Sequence, residues 1–94
     1  MIIVREVFIA KPGMASKLAA MFKAEMAEMR GARVMTDLVG GFNTVIMEAE
    51  YENMAAFEKE WQEYMNQPKS APDPSKPKHT DMYIEGKREI FRVW

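Results

Sequence analysis

"VREVFIAKPGMASKLAAMFKAEMAEMRG", residues 4 to 31, changes its hydrophobic rhythm at Lys11-Pro12-Gly13. Ahead of the break, β-branched and aromatic residues fill a short run that begins at Ile2. Its alternation puts Ile3, Val7 and Ile9 on one face and Ile2, Val4 and Phe8 on the other. A strand apolar on both faces is normally central and covered on both sides. Pro12-Gly13 stops it, because proline donates nothing to a ladder and glycine accepts unusual φ. After the break, Met14, Leu18, Met21, Phe22 and Met29 recur at helical spacing, with Lys17, Lys23 and Glu28 facing water. The spacing predicts a helix over 14–30, with Gly31 as its C-terminal cap.

The remaining elements follow from there. "ARVMTDLV" (32–39) and "TVIMEAEY" (44–51) flank "GGFN" and read as a β-hairpin. Asn53 is placed to cap a second helix over 54–66, whose stripe is Met54, Phe57, Trp61, Tyr64 and Met65. Pro68, Pro72, Pro74 and Pro77 then make residues 67 to 79 a loop or lid. Residues 80–86 read as a helical turn capped by Gly86, and "KREIFRVW" (87–94) as a last strand. The order is β-α-β-β-α-β, the α+β, ferredoxin-like pattern of an antiparallel four-stranded sheet with two helices on one face. Strand one then lies between strands three and four. Glu6 and Glu48 can there meet Arg88 or Arg92 across the sheet, either as an ion network or as a polar anchor within a cavity.

Composition sets the limits. Ninety-four residues make one domain, 1–94, and a chain this short buries roughly 60–65% of its unfolded surface. There is no cysteine, so disulfides do not reinforce it. Oligomerisation is the expected supplement. One layer of helices covers one sheet face, and a second copy of the chain is expected on the other. Thirteen basic and 14 acidic residues are interspersed, which argues against nucleic acid. No signal-peptide pattern and no apolar run of about 20 residues is present, so the expectation is a cytoplasmic protein without membrane contact. There is no Gly-rich phosphate loop and no GxSxG.

With this pattern, the chain resembles the dimeric α+β barrel superfamily, in which two such sheets pack face to face. Within it, "REVFIAKPGMASKLAAMFKAEM" is similar to the openings of NIPSNAP-like and antibiotic-biosynthesis-monooxygenase-like members. The resemblance implies a homodimer. It leaves activity open, since members include cofactor-free monooxygenases, haem-degrading enzymes, isomerases and domains without assigned activity.

The candidate site residues lie late in the chain. His79, the single histidine, precedes Thr80, Asp81 and Tyr83 just after the proline-rich segment. An imidazole suits proton transfer near neutral pH, and a solvated loop histidine is the plain alternative. Trp61, Tyr64 and Tyr83 can line a pocket for a planar apolar ligand, or Trp61 can be ordinary core beside Phe57. Ten methionines suit an adaptable interior, whether for a ligand or merely for packing. Trp61 and His79 match two of three residues of the haem-degrading members. The third, an asparagine on strand one, has no counterpart among Arg5, Glu6 and Val7. No cofactor is therefore expected, with haem the less favoured alternative. As an enzyme, the protein would be a cofactor-independent or haem-assisted, monooxygenase-like catalyst of a small hydrophobic substrate, with His79 as proton shuttle. The competing reading is a non-catalytic ligand-binding or assembly domain.

Overall fold

A computed structural model of the chain describes residues 1–29, 31–66 and 79–94. Strand β1 (Ile2–Ala10) is followed by helix α1 (Ala15–Glu25), the hairpin strands β2 (Arg33–Thr36) and β3 (Thr44–Tyr51), helix α2 (Met54–Asn66), a 3-10 turn at His79–Asp81 and strand β4 (Tyr83–Arg92). The sheet order is β2-β3-β1-β4, antiparallel throughout. This is the ferredoxin-like α+β sheet expected from the order of elements.

β1 is central. Its register runs from Ile2↔Tyr51 to Ile9↔Thr44 on one side and from Ile2↔Arg92 to Ala10↔Tyr83 on the other. At its end, the Lys11 carbonyl accepts from the Met14 amide at 2.9 Å, and Gly13 turns with φ 82°. That left-handed conformation is open to glycine without steric cost. The chain thereby drops α1 onto the sheet, where Leu18 and Phe22 bury against Ala10, Val45 and Met82. The Phe8 ring sits 5.0 Å from Phe22 and 4.7 Å from Tyr83, which joins α1 to β4 through β1.

The two faces of β1 are occupied differently. Val4, Glu6 and Phe8 point toward the helices, as their place with Phe22, Phe57 and Trp61 around one cleft shows. Strand alternation sends Ile3, Arg5, Val7 and Ile9 to the opposite face. There they join their register partners Ile46 and Phe91, and beyond Ile46, Met35. No described element covers that face.

Three boundaries depart from the sequence reading. α1 ends at Glu25 rather than at 30, and 26–28 form turns. The last deeply buried helical contact is Phe22, and the chain must turn back for Arg33 to enter the sheet edge. Gly31 has φ 69°, but it serves this return turn and not the helix end; Arg30 lies outside the described residues. β2 stops at Thr36 rather than 39. Asp37 closes the hairpin by giving its amide to the Thr44 carbonyl (3.3 Å) and taking the Thr44 amide on its carboxylate (2.9 Å).

The third departure is Gly86, which is no cap. It lies within β4 opposite Phe8, and a Cβ there would stand 2.9 Å from Phe8 Cδ1. The absent side chain makes room for the ring. Strand β4 therefore begins at Tyr83 rather than 87, and the helical turn shrinks to three residues. By contrast, α2 spans the expected residues, and Asn53 caps it by accepting the Ala56 amide at 2.9 Å.

Candidate functional site

α1 and α2 lie apart on the sheet, and between them opens a cleft of about 580 Å³. Its floor is the helix-side face of β1, β3 and β4, with Glu6, Phe8, Met47, Tyr51 and Arg88. Phe22, Met26 and Met29 form one wall, and Phe57, Trp61 and Tyr64 the other. The methionine spacing that suggested a longer helix thus continues to face the interior after α1 has ended. The size falls within the usual range for small-molecule sites, about 300–1,000 Å³.

At the floor, Glu6 and Arg88 pair across β1 and β4. Arg88 Nε donates to Glu6 Oε1 at 3.1 Å, and Nη2 stands 3.0 Å from the same oxygen as an ion pair. The guanidinium carbon lies 4.3 Å from the centre of the Trp61 ring and 5.5 Å from that of Phe57, within cation–π range. The aromatic wall is continuous. Tyr51 meets Phe57 edge-on at 5.3 Å, Phe57 lies 6.5 Å from Trp61, and Trp61 stacks on Tyr64 at 5.7 Å. Burial pushes the Tyr51 phenol up to about 12. The nearby Glu60 carboxylate and the hydrogen bond to it act in the same direction, Glu6 adds to them, and Arg88 opposes.

Of the residues singled out in the sequence, Trp61, Tyr64 and Tyr83 line this cleft. Trp61 is 38% exposed and Tyr64 58%, so both belong to a wall open to solvent and neither is core. Phe57, on the same stripe, is the buried one. His79 heads the 3-10 turn four residues ahead of Tyr83, and its side chain lies outside the described residues. So does the proline-rich segment 67–78. Thr80 and Asp81 are exposed.

Tyr51 and Glu60 were not singled out. Their signal was present: Tyr51 ends β3 on the parity of Met47, and Glu60 sits one turn from Phe57 on α2. Glu48 corrects an expectation. It meets neither Arg88 nor Arg92, because it lies on the other face from Arg88. There Arg5 (2.7 Å) and Arg33 (2.6 Å) clamp it, while Arg92 packs over Trp94 at 5.9 Å. The Arg5 hydrogen bond holds the Glu48 carboxyl below the usual range. Burial opposes this, and Arg33 reinforces it.

Four antiparallel strands in this order, with two helices on one face and a cleft between them, define a class of small ferredoxin-like α+β proteins. Among solved structures, the chain is similar in fold to NIPSNAP domain proteins. One is an uncharacterised NIPSNAP domain protein from Burkholderia xenovorans, with a TM-score of 0.74 and 12% identity, covering 100% of this chain and 95% of that one. A NIPSNAP-like domain protein from the same organism gives a TM-score of 0.64 at 18% identity, covering 99% and 84%. A protein from Agrobacterium tumefaciens gives 0.71 at 13% identity, covering 98% and 92%. At these identities the likeness is one of fold. No family model matches the chain, and no curated protein matches it in sequence.

Among the described residues, no group of three or more His, Cys, Asp or Glu could hold a metal ion. Nor is any described helix long and apolar enough to cross a membrane.

Proposed function

We propose that the protein is a homodimeric small-molecule-binding protein whose cleft takes a small aromatic or hydrophobic ligand. The observation that carries this reading is the aromatic wall. Trp61 and Tyr64 leave large apolar rings half in water beside a cleft of about 580 Å³, with a single ion pair at its floor. Burying such rings against a ligand is favourable at about 25 cal/mol per Å² of apolar surface. Haem suits the cleft less well. The carboxylates of Glu6, Glu25 and Glu60 line it, and a haem carries propionates of its own.

The dimer is supported by the uncovered sheet face, where Ile3, Val7, Ile9, Met35, Ile46 and Phe91 have no layer above them among the described residues. Sedimentation is expected to give about twice the 10.9 kDa chain mass. Val7→Asp should dissociate or unfold the protein, and Lys23→Asp should do neither; a stable monomeric wild type would overturn the dimer.

Ligand binding is tested in a Trp94→Phe background, which leaves Trp61 as the sole indole, with a panel of small aromatics. Saturable quenching of Trp61 and a raised melting temperature are expected, and Trp61→Ala should lose the thermal shift. A panel that changes neither signal overturns the reading. Monooxygenase-like turnover is a further step that rests on His79. His79→Ala is expected to abolish any turnover while leaving the fold intact, as read by an unchanged circular-dichroism spectrum.

A further inference from the structure

The charge of the cleft narrows the ligand class. Among the described residues, the carboxylates of Glu6, Glu25 and Glu60 line its helix side against the guanidinium of Arg88. Lys87 and Glu48 also border it but do not enter this balance. Their side chains lie on the opposite sheet face, Lys87 on Glu89 at 3.1 Å and Glu48 between Arg5 and Arg33. Arg88 neutralises Glu6 through one oxygen only, Oε1, which leaves Oε2 as an acceptor. Glu60 receives a neutral donor, the Tyr51 hydroxyl, so its charge is not cancelled. Among the described residues, neither Glu25 nor Glu60 has an ion-pair partner.

A second observation is independent of that balance. Trp61 and Phe57 already hold a planar cation, the Arg88 guanidinium, against a carboxylate. The chain itself therefore shows the chemistry that its walls favour: a positive charge over an indole face with an acid alongside. The Trp61–Tyr64 stack extends that surface toward solvent, where a ligand can reach it. Burial foremost, and then the Glu60 and Glu6 carboxylates, hold the Tyr51 hydroxyl in its neutral form, while Arg88 opposes them.

Resting on the cleft reading above, we infer that the ligand is an organic cation, a protonated amine or quaternary ammonium on a compact aromatic body. Its body lies along Trp61 and Tyr64, and its charged head points at Glu60 and Glu6 Oε2.

The test uses three probes of one shape that differ in charge: 1-naphthylmethylamine, 1-naphthylmethanol and 1-naphthoate, titrated calorimetrically into the full chain at neutral pH. The amine is expected to bind about tenfold more tightly than the alcohol, and the carboxylate most weakly. Glu60→Gln should lower amine affinity several-fold and leave the alcohol unchanged, and added salt should act likewise. If the alcohol or carboxylate binds as tightly as the amine, and Trp61→Ala still abolishes binding, the charge inference fails and the aromatic cleft survives. If none of the three binds, both fail.

Discussion

Each face of the sheet carries a carboxylate paired with arginine, and the two pairs are built to different ends. On the open face, Glu48 is only 3% exposed although no described layer lies above it, because Arg5 and Arg33 close over it from the two neighbouring strands. The Arg5 guanidinium also lies over the Phe91 ring, 5.2 Å from its centre, so charge and apolar surface adjoin on this face. On the helix side, Glu6 pairs with Arg88 alone, and aromatic rings stand around the pair at the bottom of a cleft. Charges neutralised among themselves within a sheet face leave that face able to pack against another. Charges at the foot of an aromatic wall leave specific acceptors for something smaller. The contrast supports a partner copy on one side and a ligand on the other.

The largest expected effect tests whether the faces differ in what stabilises them. Phe22→Ala removes a ring that is 2% exposed in the helix-side core and should cost about 3–5 kcal/mol, equally at all protein concentrations. Phe91 is 43% exposed in the single chain. Its removal should cost about 1 kcal/mol or less if the chain stands alone. With a second copy on that face, the loss should be larger and should grow on dilution. Urea unfolding at two protein concentrations separates the cases. A Phe91→Ala loss that is small and indifferent to concentration breaks the distinction between the faces.

Next comes the clamp on Glu48. Glu48→Gln keeps the shape and removes the charge, and should cost about 1–3 kcal/mol. The lower end is favoured because Arg5 and Arg33 are 37% and 65% exposed in their side chains, so water screens both. The folded state holds this carboxyl below its ordinary value of 4.5. Its contribution is therefore present above 4.5 and is lost as pH falls through the folded value. The gap between wild type and Glu48→Gln should be full at neutral pH and should close in acid. A gap that persists unchanged below pH 4 would mean that the charge is not what holds the clamp.

The sequence showed one of these faces better than the other. Alternation through Ile3, Val7 and Ile9 against Val4 and Phe8 made β1 legible as a central strand, and the Asn53 cap with the Phe57–Trp61 stripe fixed α2. The last strand begins earlier than its sequence suggests, because a glycine closing "TDMYIEG" (80–86) reads as a helix stop. The reason for Gly86 is a ring 78 residues upstream, Phe8, and no local pattern carries that. Trp61 and Tyr64 of the aromatic wall were legible, since rings at helical spacing stand out, and Tyr83 was legible from its place after the proline-rich segment. The acids beside them were not. Glu60 looks like any solvated helix residue until Tyr51 is placed against it across the β3–α2 connection. The Glu6–Arg88 pair was anticipated from strand order, whereas its cation–π contact with α2 depends on how the helix settles on the sheet.

The smallest expected effect lies in alkali and belongs to the cleft. Tyr51 keeps its proton to about 12 in the folded chain against an ordinary value of 10.0, so its contribution to stability is complete below 10 and is lost as pH rises from there toward 12. Its magnitude is on the order of 1 kcal/mol once solvent at the cleft mouth is allowed for. Tyr51→Phe should remove that part of the alkaline slope and leave the acid limb, which belongs to Glu48, untouched. Ultraviolet difference absorbance of the phenolate reads the same group directly in the wild type. Glu60→Gln then divides the causes. Burial is the foremost of them, so Tyr51 should fall only part of the way back toward 10. A return all the way would mean that the Glu60 charge sets the field at this point. The preference for a cation would then depend on that one carboxylate, with Glu6 and Glu25 contributing little.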